Sequence, residues 1–289
     1  MARQMDYMIV QDIESVMELA SLTMEGLADV LGVSRVTVSN WINCKTTITE
    51  KHMNLFYRYA FSKGIRLNKI KEQLYREDTL AEAEVLLFHG AKTKLYGALS
   101  VNRSKMINDF GNGFYCGESL EQSAMFVATY SMASLYMLKF DPSDLVCKRY
   151  GVNREWMLTI AYYRGRLEAY KDTSIVKEIA RAREGIDYII APIADNRMFE
   201  IIDSFIDGEI TDVQCQHCLS ATNLGMQYVF ISDNALKKVT LLERCYLADS
   251  EKESYLHTRQ ESYRMNQDKV KLARKQYRNQ GEYIEDILK

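Results

Sequence analysis

Hydrophobic residues between Thr23 and Trp41 recur at the spacing of a helix face, with one interruption. The first group predicts one helix and consists of Met24, Leu27, Ala28, Val30 and Leu31. Gly32 permits a tight turn, and Ser34 can cap a second helix. The apolar positions of that second helix are Val36, Val38 and Trp41. The pattern therefore predicts a helix-turn-helix in which Val36 and Val38 are buried.

A second amphipathic pattern follows Ile65, in the segment RLNKIKEQLYREDTLAEAE. It predicts a helix whose inward positions are Leu67, Ile70, Leu74 and Tyr75. This helix would link the N-terminal helices to the rest of the chain.

Short apolar runs alternate with helical patterns from residue 85 onward. The runs at 85–88, 114–116, 188–190 and 227–231 predict buried strands. Past Leu247 the chain becomes polar, but apolar residues recur every seven positions at Leu256, Tyr263, Val270, Tyr277 and Ile284. Because the flanking positions are mostly Gln and Arg, we expect one long helix that packs on the preceding domain, and no self-standing coiled coil.

Composition places the chain among folded proteins. It has 289 residues, 47% of them hydrophobic, and only two prolines. No apolar run reaches the roughly 18 residues of a membrane span, so we predict no membrane contact and a cytoplasmic location. Six cysteines are scattered, which favours free thiols. Cys215, His217 and Cys218 lack a fourth ligand, so we predict no metal site.

Positive charge is concentrated in the N-terminal part, although the formal net charge is −2. Nine basic residues between Arg35 and Arg76 face only two acidic ones, Glu50 and Glu72, and such an excess attracts phosphates. The helix-turn-helix resembles the Cro/repressor-type DNA-binding domain, whose second helix enters the major groove. The resemblance implies contact with DNA or RNA through Arg35, Thr37, Ser39 and Asn40. A solvated helical bundle and a protein-binding adaptor remain as alternatives.

Three motifs follow one another between residues 89 and 126. They are His89-Gly90, then Phe110-Gly111-x-Gly113-Phe114-Tyr115, then Ser123-Ala124-x-Phe126. This order resembles the ADP-ribosyltransferase domain of the poly-ADP-ribose polymerase type. It also resembles a bacterial family, domain of unknown function 3990, that joins such a domain to a Cro-type module; the resemblance covers roughly residues 20–75 and 85–245.

The resemblance implies that NAD is the substrate and assigns roles to five residues. His89 would bond a ribose hydroxyl, and the Gly90 backbone would pair with the nicotinamide amide. Tyr115 and Phe126 would enclose the nicotinamide ring, and Ser123 would bond its carboxamide. Each of these residues also has an ordinary explanation, since an aromatic pair or a lone histidine is commonly structural.

The catalytic glutamate of the resembling family corresponds to Gln227, at the opening of the last predicted strand. Glutamine can orient the ribose but brings no negative charge, so chain-building activity is not expected. Asp195 and Glu209 are candidates for a compensating carboxylate, and Asp195 with Asn196 could line the cleft. By this argument Gln227→Glu should raise nicotinamide release.

The predicted fold class is α+β, in three segments. Residues 1–80 form an all-α helix-turn-helix domain with a linker helix, residues 81–248 an ADP-ribosyltransferase-like split β-sheet domain with helices, and residues 249–289 a polar C-terminal helix. We expect a mono-ADP-ribosyltransferase acting on a macromolecular acceptor, with His89, Tyr115 and Gln227 as its catalytic residues, and a role as a toxin or anti-phage effector is compatible with this. The alternatives are a DNA-binding regulator that senses NAD or ADP-ribose, and an NAD hydrolase.

Overall fold

The computed structural model describes residues 7–289 as a mixed α+β protein. The helices are α1 (Ile9–Leu19), α2 (Met24–Leu31), α3 (Arg35–Ile42), α4 (Glu50–Ser62), α5 (Leu67–Asp78), α6 (Leu120–Val127), α7 (Arg154–Tyr163), α8 (Ser174–Arg181), α9 (Asn196–Ile206), α10 (Asp212–Ser220), α11 (Asp233–Lys237), α12 (Asp249–Gln276) and α13 (Ile284–Ile287). The strands are β1 (Val85–Ala91), β2 (Phe114–Gly117), β3 (Ser134–Phe140), β4 (Cys147–Arg149), β5 (Tyr188–Pro192), β6 (Met226–Phe230) and β7 (Val239–Cys245). The α+β class, the N-terminal helices and the C-terminal helix are confirmed, whereas the two finer fold assignments stay predictions.

Local capping chemistry sets the ends of α2 and α3. The Thr23 hydroxyl accepts the Gly26 N–H at 3.1 Å, and the Ser34 hydroxyl accepts the Thr37 N–H at 3.1 Å. Gly32 adopts the left-handed conformation at the end of α2, with φ of 65°. These signals are short-range, which is why the sequence located both helices correctly.

The predicted burial of Val36 is wrong. Its side chain is 67% exposed, whereas Val38 and Trp41 are buried. The eight-residue helix α3 buries one narrow face, and residues three positions apart, such as Val38 and Trp41, both lie on it. Val36 lies two positions from Val38, and two positions turn the helix by about 200°.

The inward face of α5 also differs from the prediction. Leu67 is buried, but Leu74 is 51% exposed. The residues that turn inward with Leu67 include Asn68, which is only 3% exposed, and Lys71. The interior face of α5 is therefore partly polar, because it meets charged partners from other elements.

Packing groups the chain into two compact units. The first contains the described part of Met1–Tyr96 together with Leu120–Asp141 and Thr240–Arg259. The second contains Gly97–Ser119, Pro142–Val239 and Gln260–Lys289. These units describe compactness and leave the predicted segments 1–80, 81–248 and 249–289 as predictions.

In the first unit the strands follow the order β1-β3-β7. β1 and β3 are antiparallel, with Val85 opposite Phe140 and Ala91 opposite Ser134. α6 packs against both strands, and Leu120, Ala124 and Val127 join their core. A second core consists of buried residues from the five helices α1 through α5, together with Ala248.

In the second unit the strands follow the order β4-β5-β6-β2. β4 and β5 are parallel, while β6 is antiparallel to both β5 and β2. One sheet face packs on a core that includes residues of α7, α9 and α10, with Trp156 and Phe205 fully buried. Ile284, Ile287 and Leu288 complete this core from the C-terminal end of the chain.

The seven-residue stripe does not continue along one helix. α12 ends at Gln276, so Tyr277 and Ile284 lie beyond it. Tyr277 stacks on His217 with 3.5 Å between ring centroids, and Ile284 enters the core of the second unit. Within residues 7–289, no helix combines the length and the apolar character of a bilayer span.

Candidate functional site

His89 and Gly90 lie near the end of β1 in the first unit. His89 stands opposite Tyr136 of β3, and their ring centroids are 6.4 Å apart. The Tyr136 hydroxyl accepts the backbone N–H of Leu95 at 2.7 Å. This bond fixes the segment that follows β1, and the partly buried His89 side chain is held on the same pair of strands.

α6 approaches β1 closely at Gly90. A Cβ atom there would lie 2.6 Å from the Ser123 carbonyl oxygen and 2.9 Å from Val127 Cγ1. Only glycine avoids this overlap without moving the helix. Close packing therefore accounts for Gly90 independently of any ligand.

Ser123 and Phe126 lie on α6 with contrasting environments. The buried Ser123 hydroxyl donates to the Phe88 carbonyl at 3.2 Å, next to His89. Phe126 is 64% exposed, which is unusual for a large aromatic residue. The structure thus brings Ser123 to the end of β1 that carries His89 and Gly90, and it leaves most of the Phe126 ring open to contact.

Tyr115 lies on β2 in the second unit and anchors the loop before that strand. Its hydroxyl donates to the Gly111 carbonyl at 2.7 Å and accepts the Phe110 N–H at 3.1 Å. Burial raises the pKa of Tyr115 above its ordinary value, which the Phe110 bond only partly opposes. The Tyr115 ring packs against the core of the second unit.

Gln227 is the second residue of β6 and lies on the same sheet face as Tyr115. Gly117 is opposite Gln227 and Tyr115 is opposite Val229, so Gln227 and the residue opposite Tyr115 are two positions apart on β6. The Gln227 side chain is buried. Its Nε2 donates to Asp109 Oδ2 at 2.8 Å and to the Pro192 carbonyl at 3.1 Å.

Asp109 is the site residue that sequence reasoning missed. Its Oδ2 also accepts the Ala194 N–H at 3.0 Å, and its Oδ1 accepts from Arg164 Nη2 at 2.5 Å. Arg164 stacks on Phe199, with 4.3 Å from its guanidinium to the ring centroid. The available signal was an acidic residue directly before Phe110 and Gly111. Its partner Gln227 is 118 residues away, so no local pattern could connect them.

The two carboxylates proposed from sequence as substitutes have other surroundings. Asp195 caps α9, where its Oδ1 accepts the N–H groups of Arg197 and Met198 at 3.0 Å each. Glu209 lies in the turn between α9 and α10, and Asn196 is the first residue of α9. The carboxylate that meets Gln227 is Asp109.

The hydrogen bonds determine how the Gln227 amide is oriented. Asp109 and the Pro192 carbonyl are both acceptors, so both amide hydrogens point toward them. The carbonyl oxygen Oε1 is then the atom that can accept a bond from a ligand hydroxyl. The arrangement also places one buried negative charge, balanced by Arg164, directly behind that amide.

The predicted nucleic-acid residues lie on or near the surface of α3. Arg35 is exposed, and Thr37, Ser39 and Asn40 are partly exposed. The hydroxyls of Thr37 and Ser34 are 2.9 Å apart, while Ser39 Oγ accepts from Asn43 Nδ2 at 3.3 Å. The exposed residues of α3 thus include one cation and an apolar Val36.

The basic excess of this region is smaller than the sequence indicated. Lys69 pairs with Glu72 and Glu121, and Arg76 pairs with Glu72 at 3.0 Å. Lys71 is held by buried carboxylates. These three cations are therefore already compensated, and the free positive charge lies before them in the chain.

The side chains of Cys215, His217 and Cys218 contact other groups of the protein. No group of three or more His, Cys, Asp or Glu side chains within residues 7–289 could hold an ion. The Cys215 thiol points to the Ile201 carbonyl, the Cys218 thiol to the Val270 carbonyl, and His217 stacks on Tyr277. The three candidate ligands thus have separate partners.

Comparison with known proteins identifies one family. The family model described as "Protein of unknown function (DUF3990)" matches residues 85–241, which is more than half of the 289 residues. No curated protein and no solved structure gives a significant match. The matched segment begins at the first residue of β1 and ends within β7, so it contains every predicted nicotinamide-binding residue. The chain belongs to the DUF3990 family of proteins of unknown function.

Proposed function

We propose that this protein cleaves the nicotinamide glycosidic bond of NAD and transfers the ADP-ribose to one site on a macromolecular acceptor. The bond between the nicotinamide nitrogen and the ribose anomeric carbon breaks, and its electron pair leaves with nicotinamide. An acceptor nucleophile forms the new bond to that carbon and releases its proton to solvent. The transition state carries positive charge on the ribose, so the protein gains by fixing the ribose and placing negative charge near it.

The observation that carries this proposal is the buried pair of Gln227 and Asp109. By the sequence resemblance, Gln227 corresponds to the catalytic glutamate of the transferases, and it lacks that residue's charge. Asp109 supplies a carboxylate 2.8 Å behind the Gln227 amide, within hydrogen-bonding contact. In this proposal Gln227 Oε1 accepts a ribose hydroxyl, while Asp109 holds the amide in that orientation.

The remaining assignments concern the nicotinamide. Ser123, anchored at the end of β1, bonds the carboxamide beside the Gly90 backbone. The exposed ring of Phe126 packs on the nicotinamide, and His89 bonds a ribose hydroxyl. Tyr115 contributes through the loop that its hydroxyl anchors, which is the loop that carries Asp109.

The test follows both products of the reaction. The full chain is incubated with NAD labelled in the adenine moiety, together with protein, RNA or duplex DNA acceptors, and free nicotinamide and transferred label are measured together. Equal amounts of both support transfer, and nicotinamide without transferred label supports hydrolysis. NAD binding without nicotinamide release with any acceptor would remove the enzyme proposal.

A second candidate function is favoured by the surface of α3, where Arg35 and Val36 are exposed. Both Gln227 amide hydrogens are already satisfied inside the protein, which is also what a purely structural glutamine would show. A DNA-binding regulator that senses NAD or ADP-ribose fits this, with α3 as the element that contacts DNA. Arg35 and the exposed Val36 suit a phosphate and a thymine methyl group, respectively.

Duplex binding by the full chain tests this second candidate. The variant Arg35→Ala should weaken binding and lower the salt slope by about one charge, because it removes one phosphate contact. Lys177→Ala is the matched control, since Lys177 is an exposed cation of α8 that donates to the Asp172 carbonyl. Binding that does not depend on salt, or on Arg35, would exclude α3 as the contact.

A further inference from the structure

Helix α5 carries a polar cluster that the proposed function does not use. Asn68, Lys71 and Tyr75 occupy its inward face, within the first unit. Their side-chain partners come from other elements of that unit and are Asp12 of α1, Glu243 of β7 and Glu251 of α12. Glu251 also accepts from the hydroxyl of Tyr255, one turn further along α12. The cluster therefore ties the N-terminal helices to the strand and helix that follow one another at the end of this unit.

In one half of the cluster, two carboxylates share one cation. Lys71 Nζ pairs with Asp12 Oδ1 at 2.5 Å and with Glu243. The Tyr57 hydroxyl donates to Asp12, and the Tyr75 hydroxyl donates to Glu243 Oε2 at 3.1 Å. The two carboxylates of this half thus share the Lys71 cation, and each has a hydroxyl donor of its own.

The other half lacks a cation in contact with its carboxylate. Asn68 Nδ2 donates to Glu251 at 3.2 Å (Oε1) and 3.4 Å (Oε2), and the Tyr255 hydroxyl donates to Oε1 at 3.4 Å. Arg66 is committed elsewhere, since its Nη1 donates to the Phe61 carbonyl at 2.8 Å and its guanidinium lies over the Phe61 ring. Glu251 is therefore held by neutral donors alone.

The acceptor side of Asn68 is unfilled. Asn68 Nδ2 donates one hydrogen bond to the Tyr246 carbonyl at 3.0 Å and another to Glu251. These two bonds use both amide hydrogens. Its Oδ1 is buried and has no hydrogen-bond partner. A protonated Glu251 would provide the missing donor, because a neutral carboxyl and a primary amide can form two parallel hydrogen bonds.

Burial raises the pKa of Glu251 to about 7, and the hydrogen bonds from Asn68 and Tyr255 and the charges of Arg66 and Lys71 only partly oppose this. The titratable groups around it come from each packed element. They are Tyr255 on α12, Lys71 on α5, Arg66 before α5, Glu243 and Cys245 on β7, and Glu121 on α6, which acts on Tyr255.

We propose that Glu251 and Asn68 form a proton-dependent latch between α12 and α5. In the closed state, Glu251 has taken a proton from solvent, donates it in a hydrogen bond to Asn68 Oδ1, and accepts from Asn68 Nδ2. In the open state, the ionised carboxylate keeps only the Nδ2 bond and leaves Oδ1 unsatisfied. The latch controls how firmly the first turns of α12 hold the N-terminal helices.

The direction of the pH dependence follows from the raised pKa. The folded protein keeps the proton on Glu251 at pH values where the unfolded chain has lost it. The stabilisation from this group is complete below the ordinary glutamate range and is lost as the pH rises through about 7. The latch is therefore closed in mildly acidic solution and opens above neutrality.

The first test measures the proton itself in the wild-type full chain. Carboxyl ¹³C NMR of glutamate-labelled protein follows each side chain between pH 4 and pH 9, and Glu251→Gln identifies the Glu251 signal. Glu253 is an exposed carboxylate on the same helix and serves as the internal reference. A Glu251 midpoint two or more units above that of Glu253 supports the latch, and equal midpoints overturn it.

The second test measures the contact. Amide hydrogen exchange of residues 249–258, corrected for the intrinsic pH effect, should become about fivefold faster between pH 6 and pH 8, the effect of losing one hydrogen bond. Glu251→Gln should abolish this change, because a glutamine amide donates to Asn68 Oδ1 at every pH. Glu253→Gln should retain it. The same pH response in wild type and Glu251→Gln would overturn the latch.

Discussion

Gln227 Nε2 donates a hydrogen bond to Asp109 Oδ2 at 2.8 Å, in the buried region where β6 begins. The contact joins the last predicted catalytic residue to the loop that precedes the Phe-Gly-x-Gly motif. It explains why glutamine suits this position, since a glutamate would set two carboxylates against each other. The stability of variants at position 227 and their nicotinamide release distinguish this structural requirement from the proposed chemistry.

Gln227→Glu should destabilise the protein. The sequence alone predicts only that this change raises nicotinamide release. The new carboxylate would face Asp109 and the Pro192 carbonyl and would lose two hydrogen bonds. We expect a loss of about 2–4 kcal/mol in unfolding free energy at pH 8. The loss should shrink toward pH 5, because a protonated glutamate can donate to Asp109. Urea unfolding at both pH values measures it.

The matched variant for that experiment carries two changes. Asp109→Asn combined with Gln227→Glu keeps one amide and one carboxylate in contact and should recover part of the stability lost in Gln227→Glu. If Gln227→Glu is as stable as wild type at pH 8 and releases nicotinamide faster, the position tolerates a glutamate and Asp109 is not its partner in solution.

His89→Ala should weaken NAD binding while leaving the fold intact. Removing one hydrogen bond to a bound ribose is expected to cost about 1–3 kcal/mol. Isothermal titration calorimetry measures the affinity, and nicotinamide release should fall in the same variant. His52→Ala is the control, because His52 lies in α4 and its ring bonds Thr49 at 2.8 Å. An unchanged affinity in a folded His89→Ala protein would remove His89 from the site.

Gly90→Ala should destabilise the first unit even without NAD. The added methyl group would lie 2.6 Å from the Ser123 carbonyl oxygen, so α6 must shift. Overpacking of this kind costs about 1–3 kcal/mol, which thermal unfolding can resolve. Gly151→Ala is the control, since a Cβ there meets nothing within 4 Å. Equal melting temperatures for the two variants would show that Gly90 has room for a side chain.

Lys71→Met should be strongly destabilising because it leaves two buried carboxylates without their cation. Asp12 and Glu243 would then face each other across the vacated position, at a cost of about 3–5 kcal/mol. Acidic pH should reduce the cost by protonating Glu243, whose pKa is already raised by burial. Lys69→Met is the control, because the Lys69 side chain is 41% exposed and solvent weakens its ion pairs to less than about 1 kcal/mol each. Urea unfolding of both variants gives the comparison, and similar losses would contradict the assigned role of Lys71.

The sequence by itself determined the elements whose signals are local. The hydroxyls of Thr23 and Ser34 cap the helices that follow them, and the apolar runs ending near His89 and beginning near Gln227 are strands. The order of the motifs between residues 89 and 126 also led to the family that the comparison confirms. These signals lie within a few residues of one another, so backbone geometry and hydrogen bonding translate them directly.

Only the tertiary structure decided which partners meet over long distances in the chain. Periodicity predicts that Leu74 lies on the inward face of α5. That face carries Asn68 and Lys71 instead, because their carboxylate partners on α1, β7 and α12 lie on that side of the helix. The contact between Asp109 and Gln227 likewise joins residues that are 118 positions apart in the sequence. A buried polar group is stable only beside its complement, and that complement is fixed by packing, which a pattern of hydrophobic and polar positions does not contain.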